Sequence, residues 1–143
     1  DNSILKNKEV VAAFSYAKEN GVAQHFDFLG FRRDMPELYK ASDVLISASF
    51  QEGLPINIIE GMTVGLPIVA SNVRGHLDVI QNGVNGYVFS LSNQEQFFSR
   101  IQQLYNDREH YVTLSNKAIQ TAQQFSIRNS LSQMEVIYQE YGI

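Results

Sequence analysis

An α/β fold, a parallel sheet with helices on both faces and a helical C-terminus, is what this sequence predicts, on three observations. Short apolar, β-prone segments alternate with segments of helical spacing between residues 4 and 89. Gly, Pro and Asn-Gly punctuation falls between them. From Ser92 onward the pattern is helical alone. Strands separated by helices imply right-handed crossovers, and hence a parallel sheet.

The elements follow in order. Ile4, Val10, Val11, Phe14 and Ala17 fall at helical spacing, and Asn20-Gly21 supplies the stop. His25-Phe26-Asp27-Phe28-Leu29 alternates and predicts a strand ending at Gly30. Pro36 opens a short helix to about Ala41, and a buried strand runs from Asp43 to Ser47. A helix over residues 56–64 stops at Gly65 and Pro67, and Pro67 to Ala70 is the next strand. Asp78-Val79-Ile80 reads as a short strand or part of a turn; Tyr87-Val88-Phe89 is the last strand, after the turn dipeptides Asn82-Gly83 and Asn85-Gly86. Three apolar stripes follow, all expected to be packing. Phe97, Phe98, Ile101, Leu104 and Tyr105 make the first, and Tyr111, Leu114, Ala118, Ala122 and Phe125 the second. Leu131, Met134, Ile137, Tyr138 and Tyr141 make the third, on a helix with Ser126 as its N-cap.

The composition narrows the classes of function. A chain of 143 residues with 44% apolar residues suits one globular domain, residues 1–143. The absence of Cys excludes disulfides, thiolate chemistry and Cys-zinc sites. A net charge of −4 with scattered signs argues against a nucleic-acid partner. Three scattered His without a carboxylate pattern give no metal site. Neither a Gly-x-Gly-x-x-Gly nor a Walker pattern occurs. Neither an apolar run long enough to span a membrane nor a signal peptide is evident, and a cytoplasmic location is the expectation. The absence of an initiating Met and of a leading strand suggests a fragment that lacks its first βα unit, and processing of the chain would give the same start.

Chemistry concentrates between Glu52 and Ser71. Gly53 and Pro55 set the backbone before a helix, whose unpaired N–H groups and positive end suit a phosphate held by Gly53 to Asn57. Glu60 lies about one and a half turns into that helix, where a carboxylate accepts hydrogen bonds from a diol such as ribose. The surrounding apolar Ile58, Ile59 and Met62 put Glu60 near the helix's buried side in this reading. Ligands of parallel sheets sit beyond the strands' carboxyl ends. Phe31-Arg32, Phe50-Gln51-Glu52 and Ser71 to Gly75 each follow a predicted strand and are expected to share one crevice. Arg74 and His76 lie on its side and could each touch a ligand.

Glu52 and Glu60 enclose seven residues. With Glu52-Gly53-Leu54-Pro55, Glu60-Gly61-Met62 and Gly65-Leu66-Pro67-Ile68-Val69-Ala70-Ser71, the segment resembles the C-terminal half of group one, retaining GT-B glycosyltransferases. The nearest likeness is to those that build capsular, exopolysaccharide and lipopolysaccharide chains. Phe28-Leu29-Gly30-Phe31-Arg32, Met35 to Val44 and Asn72 to Phe89 continue it.

The resemblance implies a Rossmann-like donor-binding domain that takes a nucleoside-diphosphate sugar of UDP or GDP type as substrate, without a cofactor or bound metal. It implies that Glu60 holds the ribose, that Gly53, Leu54, Pro55, Ile56 and Asn57 meet phosphate and sugar, and that Phe31 and Arg32 meet the base. Glu52 would sit beside the donor sugar and the departing phosphate as a catalytic stabiliser of developing positive charge, and Arg74 would touch the donor. An Arg and a Lys that relatives use on the diphosphate belong to a segment that would precede Asp1. The acceptor, a saccharide or lipid-linked glycan, would bind through an N-terminal domain also absent here, with room for peripheral association at the inner membrane face.

Two rival readings remain: a stand-alone, non-catalytic nucleotide-sugar binding module, and a sugar-nucleotide epimerase of the same architecture. A receiver domain of similar size is set aside. It needs an acidic pair after a first strand and a Lys after the last, and this chain has neither.

Overall fold

A computed structural model describes residues 8–142, and its contacts divide the chain into two units that meet between Met35 and Pro36. Ile4 lies outside the described residues.

In the first unit, helix α1 (Lys8–Glu19) ends before Gly21, whose positive φ of 68° takes the left-handed conformation glycine adopts freely. A 3-10 turn, Ala23–His25, follows. The strand expected over residues 25–29 does not form: the backbone is extended at Phe26, but the segment pairs with no described strand. The alternation was real, and packing rather than a ladder explains it. Phe26 and Phe28 stack at 6.4 Å, and Phe28 meets Phe14 of α1 edge-on at 5.7 Å.

The second unit opens with α2 (Met35–Lys40) and holds a three-stranded parallel sheet in the order β1 (Leu45–Ser47), β2 (Ile68–Ser71), β3 (Tyr87–Phe89). Leu45 pairs with Ile68 and Val69 with Tyr87, so strand alternation sends these two pairs to opposite faces. Helix α3 (Ile56–Thr63) covers the face of Leu45 and Ile68: a Cβ on Gly61 would meet both side chains. Helix α5 (Gln94–Asn106) covers the other, and Leu114 of α6 (Arg108–Gln124), a helix that packs along α3, completes a core with Val69, Tyr87, Phe89 and Leu104. The edge strand β1 is less buried than expected, with Ile46 at 48% exposure. β2 is buried along its whole length.

The predicted helix stop is a Schellman turn. Gly65 has φ 79°, its N–H donates to the Met62 carbonyl, and the Leu66 N–H donates to that of Gly61. Between β2 and β3 lies a short helix the sequence did not announce, α4 (Arg74–Leu77); Val79 and Ile80 follow as buried turn residues, not as a strand.

Of the three stripes, the second is buried or half-buried. The first is so only at Phe97, Ile101 and Leu104, while Phe98 and Tyr105 face out. The third is not packing among the described residues. Ser126 caps α7 (Ile127–Glu140) as expected, but Leu131, Met134, Ile137, Tyr138 and Tyr141 are all exposed. Helical periodicity gives a helix an apolar face; it does not supply the element that covers it.

Candidate functional site

The carboxyl ends of β1 and β2 carry the site. Beyond β1 the chain runs through Ser49 and Phe50 to Glu52 and Gly53, and beyond β2 through Val73 to Arg74. Phe50, Gln51, Glu52, Gly53, Val73, Arg74 and Asp78 line one open cavity of about 610 Å³. Two of the three expected segments therefore meet where the strand ends predicted. Phe31 and Arg32 belong to the first unit, and the strand that was to place them does not form. Phe31 is 85% exposed; Arg32 donates from Nε to Asp34 Oδ1 at 2.8 Å and pairs with Oδ2 through its second nitrogen. The bond from Arg32 holds the Asp34 carboxyl below the usual carboxylate range.

The segment that leads to Glu52 is held by the end of β2 and the residues after it, through three contacts. The Ser71 hydroxyl donates to the Ser49 carbonyl at 2.6 Å. Gly75 lies so close to the loop that a Cβ there would stand 2.0 Å from the Gly53 carbonyl oxygen and 2.6 Å from that of Glu52. His76, 0% exposed, meets Ser47 Oγ with Nε2 at 3.2 Å. Ser49 Oγ in turn lies 3.3 Å from Ser47 Oγ and donates to Glu52 Oε1 at 2.7 Å. The burial of His76 removes it from direct contact with any ligand, against the sequence reading. The alternation of a strand end does not reveal that a short helix turns the ring inward.

Gly53 contrasts with Gly75. Its φ is not positive, and a Cβ there would meet nothing within 4 Å. The fold does not require glycine at this position, which opens onto the cavity.

Helix α3 begins one residue later than Pro55, which is its N-cap. The Pro55 ring is fully buried, so it does not contact a ligand as expected; its carbonyl accepts from Ile58 and Ile59, both at 3.1 Å. The Ile56 N–H donates to Leu54. The Gly53, Leu54 and Asn57 N–H groups have no hydrogen-bond partner among the described residues. Leu54, Ile56 and Asn57 are exposed beside them.

Glu60 is exposed, not near the buried side of α3: Ile58, Ile59 and Met62 face the core, and the helical turn carries Glu60 to the open side. Its Oε2 accepts from the Tyr39 hydroxyl at 3.2 Å. Tyr39 is 5% exposed, and burial followed by the bond to Glu60 raises its pKa above the ordinary tyrosine value. The sequence reading missed both Tyr39 and Asp78. Tyr39 reaches Glu60 from 21 residues away, a pairing that local pattern does not encode.

No group of three or more His, Cys, Asp or Glu that could hold a metal ion occurs among the described residues. Among them too, no helix is long and apolar enough to cross a membrane.

Residues 7–121 match the model of the family Glycosyl transferases group 1. The chain belongs to that family. It is 35% identical over 87% of its length to EpsD of Bacillus subtilis strain 168, described as a glycosyltransferase. It is 26% identical over 87% to the UDP-Gal:alpha-D-GlcNAc-diphosphoundecaprenol alpha-1,3-galactosyltransferase of Escherichia coli. The chain spans about a third of the length of these curated relatives, 33% and 32%. Anabaena Alr3699/HepE in complex with UDP-glucose superposes on 94% of this chain with a TM-score of 0.84, at 25% identity and over 38% of that structure. A parallel sheet flanked by helices with a helical C-terminus is the fold this chain shares with its GT-B neighbours. Glu52, Glu60, Arg74 and His76 lie inside the matched region and α7 outside it.

Proposed function

We propose that this chain is the donor-binding domain of a retaining glycosyltransferase that moves a sugar from a nucleoside diphosphate to a saccharide or lipid-linked acceptor, in the building of a cell-surface polysaccharide. One observation carries the reading. A single cavity at the strand ends brings together Glu52, Arg74 and a glycine that the fold itself does not require. A ligand approaching the backbone closely accounts for such a glycine. The free N–H groups of Gly53, Leu54 and Asn57 suit the oxygens of a diphosphate, with Arg74 as a cationic partner. Glu60, held by Tyr39, takes the ribose hydroxyls. Glu52 faces the donor sugar and stabilises positive charge that develops as the sugar–phosphate bond breaks and its electron pair leaves on the diphosphate.

The UDP-glucose complex of HepE supports UDP-glucose as a probe for this site. The galactosyltransferase named for a diphosphoundecaprenol substrate supports a lipid-linked acceptor. The acceptor would bind on a further N-terminal domain, with peripheral association at the cytoplasmic membrane face. The donor is a substrate, and the reading needs no resident cofactor.

Glu60→Ala is the test. The loss of a hydrogen bond to a charged group should weaken UDP binding by roughly 1.5–3 kcal/mol, with the fold unchanged because Glu60 is exposed. Titration calorimetry with UDP on parent and variant measures it. Equal affinities would remove Glu60 from the nucleotide site.

A further inference from the structure

We propose that His76 is a positioning residue for Glu52, acting through Ser71, whose hydroxyl holds the Ser49 backbone, and through the Ser49 hydroxyl. This rests on the reading above, in which the Glu52 carboxylate must face the donor.

His76 is fully buried at the end of α4, with both ring nitrogens engaged. Nδ1 lies 2.8 Å from the Ser71 carbonyl oxygen, which can only accept, so Nδ1 carries a hydrogen and donates. That bond fixes the ring plane and turns Nε2 toward Ser47 Oγ, at 3.2 Å. Ser49 Oγ gives its hydrogen to Glu52 Oε1 at 2.7 Å, and Ser47 Oγ packs beside it at 3.3 Å. The backbone that carries Ser49 is tied to the residue that holds the ring: Ser71 Oγ, 3.2 Å from His76 Nδ1, donates to the Ser49 carbonyl at 2.6 Å. Glu52 is half-buried with one oxygen held, and it is one of the residues that line the cavity.

The distribution of these groups points to orientation of the carboxylate rather than to stability alone. Burial of an imidazole, two hydroxyls and a carboxylate in one line is costly unless each is partnered. A core that needed only filling would be met by apolar side chains. The line ends instead at an ionisable group on the cavity wall. A carboxylate held from behind by one oxygen keeps its other oxygen toward the cavity, which is the arrangement that electrostatic stabilisation of a developing charge requires.

The test reads the carboxylate directly. In the protein labelled with carbon-13 at glutamate carboxyls, His76→Asn and Ser49→Ala should each shift and broaden the Glu52 signal. Ser49→Thr, which keeps the hydroxyl, should restore it. The methyl signals of Ile58 and Leu114 in the core report that the fold is intact. Ser49 is only half-buried, so its variants keep the test available should His76→Asn fail to fold. In the complete polypeptide, UDP release from UDP-glucose should fall about tenfold in Ser49→Ala with KM for UDP-glucose unchanged, and recover in Ser49→Thr. An unmoved Glu52 signal in a folded His76→Asn or Ser49→Ala protein overturns the inference. So does unchanged release in Ser49→Ala where Glu52→Gln lowers it. A moved signal with no loss of release in Glu52→Gln refutes the functional reading instead, and leaves the positioning of the side chain standing.

Discussion

A Gly75→Val protein is expected to lose about 1–3 kcal/mol of stability and nearly all turnover. The cause is not backbone conformation, since Gly75 is not among the glycines with positive φ. It is space: the Cβ would stand 2.0 Å from the Gly53 carbonyl oxygen and 2.6 Å from that of Glu52. Both are backbone atoms, so no rotamer change relieves the overlap. Either α4 or the Glu52 loop must move, and each movement displaces a wall of the cavity. Catalysis that depends on positioning is sensitive to an ångström of misplacement, by on the order of 10²-fold. Urea unfolding and UDP release from UDP-glucose by the complete polypeptide measure the two effects. Parental stability together with parental turnover would show that the two segments are not pressed together as described. Gly61 is also crowded, but by the flexible end of Leu45, so the same argument gives a smaller cost there.

Glu52→Gln should lower turnover on the order of 10²- to 10³-fold, the loss seen when one preorganised electrostatic partner is removed from an active site. The fold and the loop should survive, because the glutamine oxygen can still accept from Ser49. UDP affinity should be close to the parent's, so the defect appears in kcat rather than KM. A helix-dipole role for Glu52 predicts a small change only. Helix α3 begins at Ile56 after its Pro55 cap, which leaves Glu52 outside the first turn, where that effect has faded. Equal turnover in the variant would remove Glu52 from the chemistry.

The parts of this fold that depend on local signals were legible in the sequence. Gly65 and Pro67 ended α3 where expected, Ser126 capped α7, and three short apolar runs became β1, β2 and β3. The strand-end rule brought Glu52 and Arg74 to one cavity. What failed depended on partners distant in sequence. Phe26 and Phe28 alternate as a strand does, yet a strand exists only where another chain segment accepts its hydrogen bonds. The face of α7 is periodic, yet no described element covers it. Glu60 stands among apolar neighbours in sequence, while the helical turn sends it outward to Tyr39. His76 read as a lone histidine because its partners, Ser47 and Ser71, lie on two different strands.

The most direct measurement of the central claim, that a nucleotide-sugar site lies between the ends of β1 and β2 and the start of α3, is an amide NMR titration of this protein with UDP. The account predicts the largest shifts at Gly53, Leu54, Asn57 and Arg74, with a further effect at Glu60. Shifts confined to a separate cavity lined by Val79, Asn85, Thr121 and Phe125, or to the exposed face of α7, would contradict it.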